Sequence, residues 1–208
     1  MALSETKICN LALSLSGNSR ISSINDDGEK PETCKELYEL TRDEVLADSG
    51  VNWRCAVVRT ELTAFATDPD FGWEYQYQLP ADVLRVISMV TDEGDQKILP
   101  WIREGDRILT DQDACYILYI KRLTDVTKFP PLLAEAIYTK LASKLAVRLS
   151  TNPQMSEFLL RQYLEVVLPK AKMANAEEGY IDNEDGEHTW SRAGRSYTSA
   201  DYPLWITD

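Results

Sequence analysis

Residues 83–122 read VLRVISMVTDEGDQKILPWIREGDRILTDQDACYILYIKR, and this stretch decides the fold class. Val83 to Thr91, Lys97 to Ile102, Arg107 to Thr110 and Ala114 to Arg122 are rich in β-branched, aromatic and alternating apolar residues, the signature of half-buried strands. Between them stand Glu93-Gly94-Asp95 and Glu104-Gly105-Asp106, which punctuate tight turns. Connections this short join antiparallel neighbours, whereas parallel strands need crossovers of a dozen residues or more. Strand-like alternation extends from Val51 to Asp125, with further turn signals at Asp68-Pro69-Asp70 and Leu79-Pro80. The interval therefore predicts one antiparallel sheet.

Helical periodicity brackets that sheet on both sides. Ser4 is a candidate N-cap, Ile8, Leu11, Ala12 and Leu15 form an i, i+3, i+4, i+7 stripe, and Gly17 stands where a C-terminal cap belongs. A second helix is expected from Pro31 in its first turn to about Asp48, with Cys34, Leu37, Tyr38, Thr41 and Val45 inward. Beyond the sheet, Pro130 and Pro131 open a helix that carries Leu133, Ile137, Leu141 and Leu145 inward and ends near Leu149. Asn152-Pro153 caps another whose apolar face is expected to be Phe158, Leu159, Val166 and Val167. Pro169 falls inside that pattern, so this last helix is expected to kink or stop there.

The expected architecture is α+β: a helical bundle from residues 1–50 and 126–176, an antiparallel β insert over 51–125, and an extended C-terminal arm over 177–208. That arm is acidic first (Glu177, Glu178, Asp182, Glu184, Asp185, Glu187) and aromatic later. Alone it is too polar to bury a core. Its aromatic end offers Trp190, Tyr197, Tyr202, Leu204 and Trp205 as anchors, because aromatic side chains dominate binding hot spots.

Charge and composition exclude several function classes. The 208 residues carry a formal net charge of −12, which opposes a duplex reader, since such readers draw affinity from Lys and Arg on phosphates. His188 is the single histidine, which removes most zinc and triad chemistry. The four cysteines (Cys9, Cys34, Cys55 and Cys115) are scattered and read as buried thiols in a reducing compartment. No glycine-rich phosphate loop follows a strand, so no nucleotide or other cofactor is expected. The longest apolar runs, such as Ala114 to Ile120, fall far short of the roughly 20 residues that span a bilayer, and Met1 to Glu5 has no basic lead into an apolar segment.

Ordered sequence signals then point to a family. Ile8-Cys9-Asn10-Leu11-Ala12-Leu13 through Gly17, Ile21-Ser22-Ser23-Ile24-Asn25-Asp26-Asp27, Cys34-Lys35-Glu36-Leu37-Tyr38 and Thr41-Arg42-Asp43-Glu44-Val45-Leu46 resemble the opening of tailed-phage head-to-tail adaptors, including the tail tubular protein A family of short-tailed phages. Asn52-Trp53-Arg54-Cys55-Ala56, Tyr75 to Val86 around Leu79-Pro80-Ala81-Asp82, and Ala171-Lys172-Met173-Ala174-Asn175-Ala176-Glu177-Glu178 continue the likeness in order. Pro169 departs from the pattern, and nothing after Gly179 can be matched residue by residue.

The resemblance implies a virion protein, made in the host cytoplasm and placed below the portal vertex. It would form a homo-oligomeric ring, usually of twelve copies, that joins the portal ring to the tail nozzle and completes the DNA ejection channel. Tail fibres are a further contact that such rings make. The function would be structural, not enzymatic. DNA would pass without specific binding. The acidic balance itself fits a channel wall that repels phosphate and plain solubility equally, since net charge does not say which face the carboxylates occupy. The C-terminal arm would dock on the portal; a fold-back onto its own domain is the alternative.

A different class competes: a virion-associated peptidoglycan hydrolase working through paired carboxylates, drawn from Asp26-Asp27, Asp43-Glu44, Glu177-Glu178 or Glu184-Asp185. Adjacent helical residues diverge by about 100°, so solvated faces explain these pairs better. A small binding module with a regulated acidic tail is the third reading. Trp53, Trp73 and Trp101 fit core packing or an intersubunit contact equally.

Overall fold

The computed structural model of the chain describes residues 3–90 and 99–177. Helix α1 spans Glu5–Leu15, opened by the Ser4 hydroxyl accepting the Lys7 N–H at 3.2 Å. Gly17 follows at φ +76°, the left-handed conformation in which an added Cβ is strained. Helix α2 spans Glu29–Leu46. It begins two residues earlier than expected, at a Gly28 cap, because Pro31 still lies in the first turn, where no helical N–H bond is required.

Helix α3 spans Pro131–Ser150. Leu133, Ile137, Leu141 and Leu145 are all fully buried, as their spacing predicts. The opposite face buries Ala136, Thr139, Ser143 and Ala146, small side chains that let neighbouring backbones approach. A helix buried on two opposite faces is the centre of its layer, and α1, α2 and the helix after it all pack chiefly on α3. Helix α4 spans Pro153–Gln162, capped by the Asn152 side-chain oxygen accepting the Met155 N–H at 3.0 Å.

The helix does not stop at Pro169. Residues Tyr163–Val167 form a π turn, in which the Leu168 N–H reaches back five residues to the Tyr163 carbonyl, and helix α5 runs on over Leu168–Glu177. Pro169 is thus the second residue of α5, a position that tolerates its missing N–H.

The expected single sheet is two. Strands β1 (Val57–Glu61), β3 (Val83–Val90) and β6 (Tyr116–Lys121) form an inner antiparallel sheet in the order β1-β6-β3. Strands β2 (Tyr75–Gln78), β4 (Trp101–Glu104) and β5 (Arg107–Thr110) form an outer one in the order β2-β5-β4. The β4–β5 hairpin turns through Gly105-Asp106, with Gly105 at φ +61° in the first central position, as a two-residue turn requires. Strand β3 pairs with β6, not with its successor in sequence.

The inner sheet is the middle layer. One face, through Ile120, Val57, Leu84 and Ile87, joins the helical core. The other, through Ile117, Tyr119, Met89, Val58, Val83 and Val86, joins a smaller core closed by Tyr77 and Ile108 of the outer sheet. The apolar run of β3 serves both faces because its register against β6 shifts between Val83 and Arg85 and again between Val86 and Ser88. Leu84 and Ile87 are the extra residues at these bulges, and both point to the helices. Among the described residues, no helix is long and apolar enough to cross a membrane.

Candidate interaction surface

The rod formed by α4, the π turn and α5 is apolar on more than one side. Leu159, Tyr163, Val167, Leu168 and Ala171 form its buried stripe. Phe158 and Val166, expected inward, are instead 63% and 58% exposed. Leu160, Leu164 and Met173 are exposed with them. Phe158 and Leu160, two residues apart, face opposite sides of α4, so the rod leaves apolar groups exposed on both sides of its buried stripe, more than the single exposed residues that are ordinary on a surface. A signal for it stands in the sequence: residues 158–168 hold more apolar side chains than one helical stripe can bury. Two smaller apolar outcrops lie on the helices that pack elsewhere on α3: Leu11 and Leu15 on α1, and Leu40 on α2.

The foot of this rod is locked to the junction between helices and sheet. The Asn175 side-chain oxygen accepts the Arg54 N–H at 2.9 Å, and its amide donates to the Asn52 carbonyl at 2.7 Å. The Arg54 side-chain Nε donates to the Asn175 carbonyl at 3.1 Å. Arg85 of β3 extends the joint, donating to the Asn52 side chain at 2.7 Å and to the Val51 carbonyl at 3.0 Å. Beside it Trp53, 2% exposed, donates its indole N–H to the Val45 carbonyl at 2.8 Å. Of the two readings open for Trp53, core packing is the correct one. Trp101 packs half-buried against the inter-sheet core, and Trp73 is partly exposed in the β1–β2 connection. A second clamp holds the loop after α1, where the Asn10 side chain donates to the Ile21 carbonyl at 2.9 Å and accepts its N–H at 2.8 Å.

The described carboxylate pairs do not converge. Asp43 is divided between Arg42 at 2.9 Å and Arg122 at 2.8 Å, tying α2 to the residue after β6. Glu44 takes Lys144 at 2.8 Å and Lys140 at 3.2 Å. Burial pushes the Glu44 carboxyl up, but hydrogen bonds and charge from the two lysines outweigh it and hold the group below its ordinary range. A group so held is an anion, the reverse of the protonated acid that glycoside cleavage needs. Asp26 accepts the Ser23 N–H at 2.8 Å and shapes its loop. Glu177 ends α5 in solvent, while Glu178, Glu184 and Asp185 lie outside the described residues.

Cys9, Cys34 and Cys115 are buried, and Cys55 is half-buried. Hydrogen bonding to Cys34, then burial, pushes the Cys9 thiol up, and burial pushes Cys115 up to about 12, so neither is a ready nucleophile. Among the described residues, no three His, Cys, Asp or Glu side chains group to hold a metal ion. The arm residues Trp190, Tyr197, Tyr202, Leu204 and Trp205, and His188, lie outside the described residues. No protein-family model matches the chain, and the comparison with curated proteins finds no match.

Proposed function

We propose that this chain is a structural head-to-tail adaptor of a tailed-phage virion, a ring subunit that joins the portal to the tail nozzle and completes the DNA ejection channel. Its work is architectural: it binds the portal ring above, the nozzle below and its own copies at each side. The observation that best supports this reading is the meeting of the separated segments that carry the family resemblance. Asn175, Asn52, Arg54 and Arg85 come from three of those segments and form one joint, and Asn10 and Ile21 from two others form a clamp. Residues whose order resembles an adaptor thereby do the work of holding one fold together. The exposed apolar rod supplies what a ring subunit needs, since each stable contact buries about 1,200–2,000 Å².

The reading assigns residues 177–208 to portal docking, with Trp190, Tyr197, Tyr202, Leu204 and Trp205 as anchors. It assigns the acidic balance to a channel wall that DNA slides past without adhesion. The test is light scattering of the purified chain, alone and then with the portal ring of the same virus. Stoichiometric capture, lost when residues 177–208 are removed, is the expected result. A chain that no portal captures overturns the reading, and peptidoglycan release then becomes the assay to run.

A further inference from the structure

We propose that Cys9 of α1 and Cys34 of α2 form a modification site: peroxide joins them in a disulfide that ties the first helix to the second. This goes beyond the adaptor reading and does not depend on it, because the link forms within one copy of the chain.

The fold brings the two thiols together. After α1 the connector returns to the start of that helix, where the Thr6 hydroxyl accepts the Ile24 N–H at 3.3 Å and the Asn10 side chain holds Ile21. Helix α2 therefore sets out beside Cys9. Both thiols are inaccessible to solvent, lie in the helical core and are hydrogen-bonded to each other. Cys9 also lies near the phenol of Tyr38, one turn after Cys34 on α2, which fixes the same placement from a second residue. Cys115 belongs to the other core, between the sheets. The pair is asymmetric: Cys9 donates, and the bond it makes outweighs burial and holds the Cys34 thiol below its ordinary range, so Cys34 is the sulfur that ionises. The Cys34 thiolate attacks one peroxide oxygen and the O–O bond breaks, leaving a sulfenic acid and a hydroxide that takes up the Cys34 proton as water. The Cys9 sulfur then attacks the Cys34 sulfur, the S–O bond breaks, and the second oxygen leaves as water with the Cys9 proton. Two thiols lose two electrons and two protons, and one peroxide becomes two waters. Local opening of α1, which takes less free energy than global unfolding, admits the small oxidant. Because α1 packs chiefly on α3, the disulfide supplies directly a tie to α2 that packing supplies mainly through α3.

The test treats the full folded chain with hydrogen peroxide, alkylates the remaining thiols under denaturing conditions and maps the tryptic peptides by mass. The expected product has an intact mass lower by two hydrogens before alkylation, and its peptides 8–20 and 21–35, which hold Cys9 and Cys34, stay joined until a reductant is added. Closing residues 9–34 into a loop should raise the thermal midpoint by about 5–10 °C, and reduction should return it to its starting value. Cys34→Ser should give neither the link nor the shift, whereas Cys55→Ser should keep both. Where a variant does not fold, the map of the wild-type chain decides alone. The proposal is overturned if Cys9 and Cys34 are both alkylated after the same peroxide has oxidised glutathione in the same solution. A link through Cys55 or Cys115, or a Cys34 that ends as sulfinic acid, also overturns it. A Cys9–Cys34 link that leaves the midpoint unchanged or lowers it overturns the claim that the bond ties α1 to α2.

Discussion

The two faces of the inner sheet are buried by different means. Toward the helices it meets a large core organised around α3, in which Trp53, Tyr38, Tyr163 and Phe129 sit among aliphatic groups, with Ile8, Leu13, Leu133, Ile137, Leu141 and Leu145 all inaccessible to solvent. Toward the outer sheet it meets a small core in which Tyr77, Tyr119 and Cys115 sit among the aliphatic groups. The tyrosines keep their hydroxyls satisfied at the rim, Tyr77 donating to the Gln112 carbonyl at 2.8 Å and Tyr119 to Asp82 at 3.2 Å. Buried apolar area sets most of the stability of a layer. The helical side should therefore carry global stability, and the outer sheet should open before it.

The strongest way to break this asymmetry is Leu141→Ala. It should cost about 2–5 kcal/mol and lower the denaturation midpoint for helical and aromatic signals together, since the cavity lies where α3 can least relax. Ile108→Ala, equally buried but in the outer sheet, should fall at the lower end of that range. Its signature is local: amide exchange should speed up in β2, β4 and β5 while α3 keeps its protection. Equal acceleration in both layers would refute the ranking.

Asn175→Ala tests the joint between the layers. Removing one accepted and one donated bond should cost about 1–2 kcal/mol and raise exchange in the last turn of α5, with the outer sheet unaffected. Thr151 is a β-branched residue at φ +46° that ends α3, its N–H and that of Asn152 both directed to the Ala146 carbonyl. Thr151→Gly should stabilise the chain by about 0.5–1 kcal/mol, read as a higher midpoint. The smallest effect is expected from Glu44→Gln. Because the Glu44 carboxyl is held below its ordinary value of 4.5, its contribution is present above that value and lost as pH falls through the lower, folded-state value. The wild-type chain should therefore lose stability more steeply than Glu44→Gln as pH drops below about 4.5, and parallel curves would show that the lysines do not act through this group.

Much of the helical layer was legible because its signals are local. The Ser4 and Asn152 caps, the Gly17 stop and the Leu133, Ile137, Leu141, Leu145 stripe each lie within a few turns of what they determine. The hairpin at Gly105-Asp106 is local in the same sense. The division into two sheets was not legible, because β1 meets β6 across more than fifty residues and nothing in Val57–Glu61 records that partner. Its half-exposed pattern also lacks clean alternation. The bulges of β3 hid its two-faced role behind what reads as a simple apolar run. At the candidate surface, Asn10 and Asn175 belong to segments singled out by resemblance, yet their role as clamps depends on partners 11 and more than 120 residues away. Periodicity places Phe158 and Val166 inward because it finds an apolar stripe but does not say which of two stripes meets the core.

The π turn acts on the helix as an inserted letter acts on a reading frame. Upstream, the inward positions fall at Leu159, Tyr163 and Val167; downstream they resume at Leu168, Ala171 and Asn175, one step later than an uninterrupted α-helix would place them. Wound as an uninterrupted α-helix, the same residues would put Lys170 and Ala174 at the inward sites, a charge would face the core, and the amide that locks the foot of the rod would turn to solvent. A deletion of one of the exposed residues 164–166 would let the turn close as ordinary α-helix and bring Ala171 and Asn175 back to the inward positions, whereas a substitution there keeps the extra residue and the turn with it.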